Sequence, residues 1–215
     1  MLIWLVLIPL IAAALIGLCK APARPTALLS ASLTLALGIW ALVSFDGCSS
    51  CWSRFEGMDL QLTLAPALSK VMLLLTILVT FATVLGTNPP QGGEASWYNS
   101  ALLISAGATG AFLSDNIISF FAFHELALIP TFVMIGLYGR GDRRTTAWRA
   151  TLYLGLASMV LLAALLMIGT QAGFTFSGLK DFMASGRELA HAELIGALLI
   201  AGFGTLISLF PFHSW

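Results

Sequence analysis

Stretches of about twenty mainly apolar residues recur along this chain, the length needed to cross the hydrocarbon core of a bilayer as a helix. They cover residues 1–18, 26–45, 64–86, 98–113, 116–139, 150–168 and 194–210. Backbone groups cannot stay unpaired in lipid, and the two-residue alternation of outer-membrane strands is absent, so these segments are expected to be helices. Composition agrees: 59% of residues are hydrophobic and 9% charged, against about 45–50% and about 25% in a soluble domain. Ten Lys and Arg balance ten Asp and Glu, which leaves no basic field to hold nucleic acid. The expected fold is an all-α membrane protein with about seven transmembrane helices.

Loop charges suggest an orientation. Lys20, Arg24, Arg140, Arg143 and Arg144 fall on the side reached after odd-numbered spans, whereas Arg54, Lys180 and Arg187 fall on the other. The excess of Lys and Arg marks the cytoplasmic face and puts the amino terminus outside. The first span has no basic residue before its apolar run, so it reads as a mature helix rather than a cleaved signal. The chain divides into a two-helix segment with an external loop, 1–63, and a partial transmembrane bundle, 64–215. The external loop carries Cys48-Ser-Ser-Cys51. That pair can form a disulfide in an oxidising compartment but lacks the further ligands of a metal centre. The loop 171–193 is expected to hold a short interfacial helix. No nucleophile and base, phosphate loop or metal cluster is present to support a hydrolase or transferase.

The candidate functional residues lie in the fifth span. Glu125 is the one acid near the middle of a span, where a charge costs about 2.5–3.5 kcal/mol on insertion scales and marks a functional position by default. His124 precedes it, and adjacent helical residues point about 100° apart, so the two are not expected to face one partner. A titratable pair at mid-membrane suits proton transfer; the alternative is a buried neutral acid tying two helices together. Pro130, five residues on, removes one helical hydrogen bond and loosens the backbone near the acid. Arg149 opens the sixth span and is either a cation reaching for the interface or a partner for Glu125. At 1.5 Å per residue Glu125 lies about 20 Å from the near end of its helix, so coupling to Arg149 would need an intermediate group or water. Thr151, Ser158, Thr205 and Ser208 are the polar side chains offered by neighbouring spans. The small residues Ser105-Ala-Gly-Ala-Thr-Gly-Ala111 let the fourth and fifth helices pack closely as a hairpin, with Asp115 at its tip as a solvated cap.

The stretch Ser119-Phe-Phe-Ala-Phe-His-Glu-Leu-Ala-Leu-Ile-Pro130 and the ending Phe210-Pro-Phe-His-Ser-Trp215 resemble the antiporter-like, chain M type membrane subunits of respiratory complex I, which are related to subunits of multi-subunit cation/proton antiporters. Arg149, Tyr153, Ala157 and Ser158 fall where that family has Lys, an aromatic, a small residue and Ser. The resemblance covers roughly residues 64–215 and implies the N-terminal half of such a subunit. It departs at Leu206, which stands at the family's seventh-helix lysine, at Ser208, which replaces a proline, and at Ala65-Pro66, which replace Asp-Gly. The resemblance implies a membrane subunit of a complex I-like, proton-translocating NADH-quinone oxidoreductase. Glu125, His124 and Arg149 would then be its proton-transfer or coupling residues. A non-conducting structural subunit of such an assembly, or a subunit of a cation/proton antiporter, are the alternatives. The implied chain carries no redox cofactor and no metal; NADH oxidation and quinone reduction belong to partner subunits. Other membrane subunits and the bilayer are the implied partners, in a bacterial plasma membrane.

Overall fold

The computed structural model describes residues 2–44, 49–55, 58–64, 67–89 and 92–209. Eight helices and one hairpin follow in the order α1 (Ile3–Gly17), α2 (Ala23–Ser44), β1 (Ser49–Phe55), β2 (Met58–Thr63), α3 (Ala67–Gly86), α4 (Glu94–Leu113), α5 (Ile117–Tyr138), α6 (Arg143–Ala172), α7 (Phe176–Ala184) and α8 (Ala192–Leu206). Four of them, α2, α3, α5 and α6, are long and apolar enough to cross a membrane, and α1 and α8 are shorter apolar helices. The seven expected apolar segments each overlap one helix among α1–α6 and α8, and α7 is the short helix expected in 171–193.

Boundaries moved where capping chemistry outweighs hydropathy. The sixth helix begins at Arg143 rather than at residue 150, because the Asp142 side chain accepts a hydrogen bond from the Thr145 amide and starts the helix. The third begins at Ala67, after a hairpin that was not expected from the sequence. In the hairpin Ser49 pairs with Thr63 and Phe55 with Met58, with a register shift between Cys51 and Arg54. Short strands fit here because a loop outside the spans has no helical period to satisfy. Cys48, and with it the Cys48/Cys51 pair, lies outside the described residues, as does the Pro211-Phe-His-Ser-Trp215 ending. Ser208 takes a left-handed φ of 57°, its N–H reaching Thr205 O and the Leu209 N–H reaching Gly204 O. This is a Schellman ending with serine where glycine is usual.

The bundle places small and hydroxylated side chains inside and bulky apolar ones outside. Ser30, Thr34, Ser100, Ser105, Thr109, Ser158 and Thr205 are buried, whereas Leu29, Val43, Leu156 and Ile200 are exposed. Lipid is as apolar as leucine, so helix contacts are made by close backbone approach and hydroxyl bonds instead. Thr80 Oγ1 donates to Ser105 Oγ at 2.9 Å between α3 and α4. One buried cluster joins α1, α2, α3 and α4 around Tyr98 and Leu102, and a second joins the same four helices with β2 around Leu62 and Ile77. A third joins α5, α6 and α8 around Ile117, Leu161, Leu165, Ile168 and Ile195.

The α4–α5 hairpin links the two groups. A Cβ on Gly107 would meet Phe123 O at 2.7 Å and Ala127 Cβ at 3.0 Å, and one on Gly110 would strike the Phe123 ring. Substituting Gly107 by Val is expected to force α4 and α5 apart and to destabilise the protein by about 1–3 kcal/mol. The check is the melting temperature in detergent; Gly155→Ala, whose new Cβ meets nothing within 4 Å, is the control expected to melt like the wild type.

Candidate functional site

Both ends of α5 are anchored, which fixes the height of every residue along it. At its start the Asn116 side chain accepts from the Ile118 and Ser119 amides at 2.9 and 3.3 Å. The neighbouring Asp115 carboxylate accepts from the Ser177 amide at 3.1 Å and from the Ser177 hydroxyl at 2.6 Å, so it caps α7 rather than facing solvent alone. Two backbone bonds, Ile117 N–H to Phe174 O and Phe176 N–H to Asp115 O, complete this staple. At the far end the Arg143 guanidinium donates to Leu137 O at 2.8 Å, where a cation complements a helix carboxyl end.

Glu125 and His124 sit between those anchors, eight and seven positions after Ile117, the first residue of α5. The His124 ring is steadied by stacking on Phe120 and Phe121, with centroids 6.3 and 6.4 Å away. The expectation that the pair would face apart holds for the Cβ directions but not for the tips: His124 Nδ1 lies 3.5 Å from Glu125 Oε1. Long side chains bend along the axis and meet, although their backbone positions are rotated. The approach is at ion-pair range yet outside hydrogen-bond geometry, and neither buried atom takes a hydrogen bond. The side chains are 21% and 34% exposed. Two titratable groups so placed can share one proton, and both still need a donor or acceptor from elsewhere.

That opening is a cleft of about 180 Å³ between α5 and α6, bordered by Glu125, Thr131, Ile135, Thr151, Leu154 and Gly155 among others. Thr131 was not singled out from the sequence; its position directly after Pro130, one side of a break in the hydrogen-bond ladder, is the signal that would have found it. Arg149 is not brought to Glu125. It is exposed, two turns inside α6 rather than at its opening, and the buried Ala147 and Ala150 flank it. Its nearest named charge is Asp142, on which it acts electrostatically. Leu206, at the end of α8, packs against the apolar cluster of Ile117, Leu161 and Leu165. Among the described residues no group of three or more His, Cys, Asp or Glu is placed to hold a metal ion.

The part of the chain that holds this site, from Ser114 onward, matches the model of the NADH:quinone oxidoreductase/Mrp antiporter transmembrane family. The match covers residues 114–215. Over nearly its whole length the chain is similar to F(420)H(2) dehydrogenase subunit M of Methanosarcina mazei, at 24% identity covering 98% of this chain and 46% of that subunit. It is 31% identical to NAD(P)H-quinone oxidoreductase chain 4 of Synechococcus elongatus over 76% of this chain and 31% of that one. The fold matches a chain of respiratory complex I from Thermus thermophilus with a TM-score of 0.86 at 25% identity, covering 100% of this chain and 46% of that chain. A chain of the Mrp complex from Dietzia sp. shares the fold at a TM-score of 0.80 and 21% identity, with 100% and 42% covered. The chain thus spans less than half the length of these antiporter-family relatives. Its fold is that of the antiporter-like membrane subunits.

The Thr145 hydroxyl and amide hold the Asp142 carboxyl below the usual carboxylate range, with a smaller contribution from Arg149. A carboxyl lowered in the folded state stabilises above its ordinary value and loses that contribution as pH falls through the lowered one. Acidification through that window is expected to fray the first turn of α6, read as faster exchange of the Thr145 amide. Asp142→Ala should already show the fast exchange at neutral pH.

Proposed function

We propose that this chain is a membrane subunit of a complex I-like, proton-translocating NADH-quinone oxidoreductase of a bacterial plasma membrane. Its amino terminus lies outside, and Glu125 acts as a proton-transfer or coupling group. The observation that carries the reading is the Glu125 carboxyl midway along an apolar span, half-buried, with Oε1 unpartnered and the His124 ring 3.5 Å away. A structural acid is tied down by donors, because an unsatisfied buried acceptor costs about 1–3 kcal/mol. Retaining one in mid-membrane is intelligible if the group must gain and lose a proton. His124 supplies the adjacent titratable site, and Arg149 a cation at the Arg-rich end of the bundle. Electron transfer belongs to partner subunits, and the chain itself holds no redox cofactor.

One observation favours the second reading, a structural subunit that does not conduct. Leu206 stands where the resemblance puts a lysine, and an apolar side chain packed in an apolar cluster relays no proton. A cation/proton antiporter subunit is the third.

Glu125→Gln in the assembled complex, in sealed vesicles, separates them. The expected outcome is that proton translocation falls by about a hundredfold, the lower range for losing a positioned acid or base, while the complex still assembles. Translocation at the wild-type rate leaves the structural subunit. Proton uptake driven by a sodium or potassium gradient, without an electron donor, identifies the antiporter.

A further inference from the structure

The α5–α6 cleft contains two hydroxyls that the reading of Glu125 leaves unused. Thr131 Oγ1 donates to Ala127 O and Thr151 Oγ1 to Ala147 O, each at 2.8 Å. Each hydroxyl has therefore spent its single hydrogen on its own helix and presents only lone pairs to the cleft it borders. A further acceptor is freed on the α5 backbone, outside the residues that border the cleft. Pro130 has no N–H, so the carbonyl four residues earlier, on Leu126, loses its helical donor. Acceptors facing a cleft that offers no protein donor call for a ligand with hydrogens to give.

Their heights along the bundle are regular. At 1.5 Å per residue Thr131 is about 9 Å along α5 from Glu125, and about 10 Å from the Tyr138 end. Thr151 is about 12 Å from the start of α6. Since α6 returns alongside α5 after a short turn, the two hydroxyls stand at nearly the same level, between Glu125 and the end that carries Arg149. The volume of about 180 Å³ holds several waters at about 30 Å³ each. Gly155 borders the same space, and a Cβ built there meets nothing within 4 Å.

We propose that Thr131 and Thr151 position a short chain of water in the α5–α6 cleft, joining the Glu125 carboxyl to the Arg149 end of the bundle. The inference rests on the reading of Glu125 as a proton-transfer group and adds the route by which its proton arrives or leaves. A proton released by the carboxyl passes to the first water, which gives one of its own to the next. The last water gives a proton to the solvent at the end of the bundle that carries Arg149, so each water ends with two hydrogens, no electron moves, and the carboxylate is left to take up the next proton. The threonines stay un-ionised; they orient the waters by accepting from them. Arg149 holds no proton in transit; it lies on the other side of α6 from Thr151 and does not border the cleft.

The test uses the assembled complex in sealed vesicles with Thr151→Val, which keeps the side-chain shape and removes the hydroxyl. Electron-transfer-driven proton uptake should fall about tenfold, the scale of one lost hydrogen bond to a buried water, and Thr151→Ser should restore it. Gly155→Leu, which fills the cleft and leaves both hydroxyls in the sequence, should lower uptake similarly and carries the test if the valine variant fails to assemble. A second readout is the infrared carboxyl band of Glu125, identified by its disappearance in Glu125→Gln. Its exchange with deuterium should slow in both cleft variants, which a merely structural threonine would not cause. Wild-type uptake and exchange in the cleft variants, with uptake lost in Glu125→Gln, overturns the water chain and leaves the role of Glu125 standing. Wild-type uptake in Glu125→Gln itself overturns the reading on which the chain of water rests.

Discussion

Close contact between α4 and α5 is the constraint on which the site depends. Gly107 and Gly110 present bare backbone to Phe123 and Ala127, so α5 lies against α4 at a distance no larger residue would permit. In a bilayer there is little hydrophobic gain from pairing two apolar helices, and dispersion contact over such a smooth face takes its place. With that face of α5 committed, Glu125, two positions from both Phe123 and Ala127, turns away from it and borders the cleft toward α6, as does Thr131. The capped start at Asn116 and the staple from Asp115 to Ser177 then fix how deep along the bundle each of them sits.

The site combines order with deficiency. Phe120 and Phe121 hold the imidazole, the helix holds the carboxylate beside it, and both tips lack hydrogen bonds. A fully satisfied network at this position would be more stable, but its proton would have no reason to move. Partial exposure of Glu125, with His124 its ion-pair neighbour, leaves room for a mobile partner to complete it. The apolar packing of Leu206 is the opposite case, a position on α8 with no group to titrate.

The motifs and the fold point the same way while their reach differs. The family match covers α5 to α8 with the intervening turns, which hold all three candidate residues. The first four helices carry no such motif, yet the fold likeness to the complex I chain extends over the whole chain. Helices that serve to pack need only small residues on one side and apolar ones on the other. Many sequences satisfy that requirement, so identity fades there before shape does.

Hydropathy alone sufficed to mark where helices lie, because lipid leaves the backbone no other way to pair its polar groups. The acid at position 125 was conspicuous for the same reason, as was the close α4–α5 hairpin in the run of glycine and alanine. Helix ends were less legible: Asp142 starts α6 two turns before the apolar run, since a capping bond is local and insensitive to hydropathy. The β1–β2 hairpin left no period strong enough to read in a polar loop. What only the tertiary structure decided is which side chains share a space. Thr131 and Thr151 are twenty positions apart and border one cleft, because the turn between α5 and α6 sets them at equal height. Arg149, two residues from Thr151, points elsewhere because two positions along a helix is more than half a turn.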